Sequence, residues 1–79
     1  MKDLKLTFEQ YASQRETLEL KGDEIIAIYL ALVEQEDHLD HFQQAALERL
    51  RSSLYGNLSV EQMEGLLVSY TAHVVKTRV

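Results

Sequence analysis

The chain contains no cysteine. Disulfides, thiolate metal sites and cysteine nucleophiles are therefore excluded, and the fold must be held by packing. Proline is also absent and glycine occurs only three times, at positions 22, 56 and 65. Helix ends must then be read from capping side chains more than from backbone breakers. Positive charge is scarce: eight basic residues against thirteen acidic ones leave a formal charge of −5, and the basic residues do not cluster. That balance repels nucleic-acid phosphates and anionic lipid headgroups, so neither is an expected partner. The longest wholly apolar run, IIAIYLALV from Ile25 to Val33, is nine residues, about half of what a membrane-spanning helix needs. The opening MKDLKLTFEQ carries charges and no apolar secretion-signal core, so the expected location is the cytoplasm.

Against these absences stand 46% hydrophobic and 27% charged residues, the composition of a folded protein. A chain of 79 residues makes one domain, expected over 1–79, and buries only about 60–65% of its unfolded surface. Its core is expected to be small.

The capping chemistry is legible. Thr7 with Gln10 forms a candidate capping box, and Leu6 with Tyr11 a hydrophobic staple. A helix is expected to follow over residues 8–20, carried by a narrow stripe of Phe8, Tyr11, Ala12, Arg15 and Leu18 and ended by Lys21-Gly22. Asp23 is the expected cap of a second helix over 24–36, apolar on every side from Ile25 to Val33 and hence in need of burial nearly all round. Ser59 with Gln62, and Leu58 with Met63, repeat the box and staple ahead of a last helix over 60–77, whose stripe is Val60, Met63, Leu66, Leu67, Tyr70 and Val74. Gly56 is the expected stop of the helix before it, over 39–55.

Two readings meet between the second and third helices. A continuous helix over 24–55 would run about 48 Å, whereas a compact domain of this length has a radius of gyration of about 12 Å. If Asp37 or Asp40 caps a new helix, with Asp40 and Gln43 as a third capping box, four helices fit one bundle. The interruption of the apolar stripe by Gln35 and Glu36 favours a break near Glu36 to Asp40. The expected fold is all-α, a small bundle of four helices, with one long or kinked middle helix as the alternative.

The same stretch holds the densest chemistry, four carboxylates and two imidazoles between Glu34 and His41. On one helix Glu34 and His38, and Asp37 and His41, would be side by side, so Glu34, Asp37, His38 and His41 form a candidate divalent-metal set. The spacing matches neither the metalloprotease pattern, two His four apart with Glu after the first, nor the di-iron pattern, Glu three before His. A solvated face with weak ion pairs is the simpler account. His73, beside Tyr70 and Val74, reads as a core-edge histidine. No nucleophile elbow or phosphate-binding loop is present, so neither an enzyme nor a cofactor is expected. The turn from Leu54 to Leu58 could be that of a DNA-reading helix pair, but Glu61 and Glu64 would then face phosphates. A plain helical hairpin remains.

Six aromatics, Phe8, Tyr11, Tyr29, Phe42, Tyr55 and Tyr70, together with Ile25 to Val33, exceed what so small a core can bury. Exposed apolar surface on a small domain is where partners bind. The expected function is therefore a protein-interaction module, an adaptor, inhibitor or assembly partner, able to pair with itself as a homodimer. Its candidate contact residues are Ile25, Ile28, Tyr29, Leu32, Phe42, Tyr55 and Tyr70. The alternatives are the metal-binding helical protein and, more weakly, an acidic mimic of nucleic acid.

Overall fold

The computed structural model describes residues 6–78; the reading against a secretion signal rests in part on residues 1–5, which lie outside them. The described chain is all-α: α1 (Phe8–Ala12), α2 (Gly22–Glu34), a 3-10 turn (Glu36–His38), α3 (His41–Asn57), α4 (Val60–Glu64) and α5 (Leu66–Thr77). α2 packs on α3 and on α5, and α4 bridges α3 to α5.

The break between the second and third helices is present. α2 ends at Glu34, one 3-10 turn follows, and Asp40 caps α3. The Asp40 carboxylate accepts from Gln43 N–H at 2.8 Å while the Gln43 side chain accepts from Asp40 N–H at 2.9 Å, the reciprocal box that satisfies two otherwise orphan donors. Glu36, placed badly for the negative end of α2, is offset by Arg51 of α3 at 3.3 Å. Arg51 also bonds Glu48 at 2.9 Å and lies 5.9 Å from the centre of the Tyr29 ring on α2. Its interaction with Tyr29, and then the charge of Glu36, hold the guanidinium above its ordinary value against the opposing effect of burial. One side chain thus ties α3 to both α2 and the turn that joins them.

The outer helices depart from expectation. The box at Thr7 and Gln10 forms, but the helix ends at Ala12 instead of reaching residue 20. Phe8, Tyr11 and Leu18 remain 79%, 56% and 76% exposed, so the stripe that should hold this helix has nothing to pack against, and short helices without such support are marginal. Ser13 closes the turn by donating to Gln10 C=O at 3.1 Å. The last helix also begins at its expected box, with Ser59 and Gln62. It is then interrupted at Gly65 and resumes as α5. Glycine is, after proline, the residue least able to hold a helix interior.

Three further boundaries are corrected. Asp23 is not the cap of α2: the helix starts at Gly22 with Lys21 as the cap, and Glu24 accepts from Lys21 N–H at 2.8 Å. No glycine has a positive φ, so Lys21-Gly22 makes no left-handed stop. Gly56 does not end α3, which continues through Asn57 with Leu58 N–H still bonded to Leu54 C=O at 2.8 Å.

Only Leu47, Leu54 and Leu66 are buried among the described residues. The radius of gyration is 15.9 Å, against about 12 Å for a compact chain of this length. The core sits at the junction of α3 with its neighbours, and much of the apolar surface lies outside it.

Candidate functional site

The break decides the fate of the Glu/Asp/His stretch. Glu34 ends α2, Asp37 and His38 lie in the 3-10 turn, and His41 opens α3. Their side-by-side placement required one continuous helix, and the chain leaves α-helical geometry between Glu34 and His41. Among the described residues no three His, Asp or Glu side chains converge as a metal would require. His41 instead sets its ring edge-on to Phe42, centroids 5.3 Å apart.

The candidate contact residues divide. Ile28, Phe42 and Tyr55 are exposed, whereas Ile25, Tyr29, Leu32 and Tyr70 are half-buried between helices. Phe42 and Tyr55 are thirteen residues apart on α3, about 140° around the helix, so they do not share a face. Tyr29 is held under Arg51 and serves the hairpin.

Two features of the α2–α5 junction were not foreseen. His73 Nε2 meets Asp23 Oδ2 at 3.1 Å, linking residues fifty positions apart for which no local spacing rule exists. The hydrogen bond from His73 holds the Asp23 carboxyl below its ordinary value, opposed by burial and reinforced by the charge of Lys21. Asp23 is free to make this pair because it is not used as a cap. The pair stands at a cleft of about 460 Å³ that Ile26, Leu66, Ser69 and Tyr70 also line. Among the described residues, the His73 ring hydrogen-bonds to Asp23 alone, so neither Ser69 nor Tyr70 is activated by it. The geometry is that of an interhelix tie.

The second feature is an apolar face. Leu66, Tyr70, His73 and Thr77 recur at helical spacing on the side of α5 towards α2. Leu67, Val68, Thr71 and Val75 fall in an arc of about 100° next to it, and Leu67, Val68 and Val75 are 62%, 75% and 64% exposed. Across the junction α2 contributes Ala27, Ala31 and the exposed Ile28. Ala27 lines one cleft with Leu67 and another with Val74, so the two helices form one continuous apolar surface. The spacing of seven between Val68 and Val75 was the sequence signal for it; the expected stripe of the last helix included neither. No helix among the described residues is long and apolar enough to cross a membrane.

No protein-family model, curated protein or solved structure matches this chain.

Proposed function

We propose that the protein is a non-enzymatic, cytoplasmic interaction module that binds a protein partner through exposed apolar helix surface. The observation that carries this reading is α2. It is the most apolar segment of the chain, yet none of its residues is buried. A helix that is apolar all round is stable in water only when covered on every side, and α3 and α5 cover it in part. The exposed face formed with α5 extends the same surface, and large exposed apolar patches mark interaction sites.

Affinity capture from the source cell, combined with sedimentation of the purified chain, tests the reading. It predicts either a specific captured protein or self-association, with the contact weakened by Ile28→Glu. A chain that neither self-associates nor captures any protein above background overturns it.

A further inference from the structure

We propose that the occupant of the open α2–α5 face is the same face of a second copy of this chain, seated antiparallel about a two-fold axis. The inference rests on the interaction-module reading and specifies its partner. Ala27, Ile28 and Ala31 of α2 and Leu67, Thr71 and Val75 of α5 form the contact. Two such helix pairs, face to face, complete a four-helix bundle, the arrangement in which two-helix units cover their apolar sides. The small side chains of Ala27 and Ala31, one turn apart, leave a shallow groove where a facing helix can approach closely.

The surface area supports a partner of this size. The accessible surface is 6930 Å² for a 9.1 kDa chain, about 2,000 Å² more than a folded monomer of that mass exposes. Obligate two-chain interfaces bury about 2,000–5,000 Å² in total, half from each chain. An isologous contact over α2 and α5 therefore removes surface on the scale of the excess. The segment 14–21, which forms no helix and is exposed except at half-buried Leu20, accounts for part of the remainder.

Charge selects the orientation. Asp23 meets His73, and Leu67 lies by Glu34, so the start of α2 adjoins the end of α5. One end of the face therefore has Glu34, with Glu64 just before α5, and the other has Lys21, Lys76 and Arg78 with Asp23 and Glu24, a small net positive charge. A two-fold axis that superposed like ends would crowd four carboxylates from Glu34 and Glu64 of the two copies. The antiparallel seating instead brings those carboxylates to the basic end of the partner, where opposite charges favour association.

Sedimentation equilibrium of the purified chain should give twice the 9.1 kDa chain mass at micromolar concentration. Thr71→Glu, at the centre of the exposed arc, should raise the dissociation constant at least tenfold, while Ser52→Glu on the exposed side of α3 leaves it unchanged. Helical circular dichroism at high concentration confirms that both variants fold. Because the chain lacks cysteine, introduced thiols report orientation directly. Glu64→Cys and Arg78→Cys chains, mixed and oxidised, should join to one another and not to themselves. Self-joined Glu64→Cys dimers, or no mixed product, overturn the antiparallel seating. A monomer at all concentrations, or a dimer that Thr71→Glu leaves intact, overturns the proposal. If that monomer still captures a specific cellular protein, the interaction-module reading survives without it.

Discussion

α2 and α3 pack against each other and carry opposite lessons. α2 contains nine consecutive apolar residues and buries none of them completely. α3 is studded with Gln, Glu, Arg and Ser, yet supplies Leu47 and Leu54, two of the three buried residues described. Burial follows from having neighbours on the right side. α3 turns one narrow apolar edge to the rest of the chain and, apart from exposed Phe42 and Tyr55, keeps polar groups elsewhere, so most of its needs are met within one molecule. α2 presents apolar groups in every direction and has too few neighbours to satisfy them. The first is a finished structural element. The second is the part of the fold that asks for a partner.

The strongest challenge to this contrast is Leu47→Ala. Leu47 is 0% exposed, and truncating a buried leucine costs about 2–5 kcal/mol, a large fraction of what a domain this small holds. Urea unfolding followed by helical circular dichroism should show the loss at fixed protein concentration. A change below half a kcal/mol would mean that α3 does not centre the core.

Next in size is Asp40→Ala, which removes the cap of α3. It should destabilise by about 0.5–2 kcal/mol. If the two helices were instead one, the substitution would replace a poor helix former with the best one and raise the melting temperature. The sign of the shift therefore tests whether α2 and α3 are separate elements at all.

Gly56→Ala acts in the opposite direction. Gly56 lies inside α3 without a positive φ, and a β-carbon there meets nothing within 4 Å. Alanine should stabilise by about 0.5–1 kcal/mol. Destabilisation would show that Gly56 ends the helix after all and that α3 is shorter by two residues.

The smallest effect concerns the tie that holds α5 to α2. Because His73 keeps the folded Asp23 carboxyl below its ordinary value, the stabilisation is present above the unfolded value of about 3.9 and is lost as pH falls through the lower folded value. Melting temperatures of the wild type and Asp23→Asn should differ at neutral pH and converge in acid. An equal difference at both extremes would remove Asp23 titration as its source.

Local chemistry was the most legible part of the fold. The boxes at Thr7–Gln10, Asp40–Gln43 and Ser59–Gln62 all form, because each joins residues three apart and needs no other part of the chain. The helix after Thr7 was overextended, since its length depended on packing that Phe8 and Leu18 do not find. Glycine positions misled for a related reason: glycine permits a left-handed stop but does not impose one. In the candidate site, Ile28 as a contact candidate and the apolar character of α2 were read from the sequence, while the exposure of Ile28 came from the structure. The α5 arc of Val68 and Val75 was hidden behind the stripe on its other side.

What the sequence by itself determined is therefore the helical class, the starts of three helices and the excess of apolar side chains over what one small core can take. These follow from neighbours within a turn of one another and from composition. Only the tertiary structure decided that Arg51 would clasp Glu36 and Tyr29, that Asp23 would find His73 fifty residues away, and that α2 and α5 would pool their unburied residues into one face. Those outcomes depend on how separate helices cross, and the direction in which a helix is left uncovered is a property of its neighbours, not of its own residues.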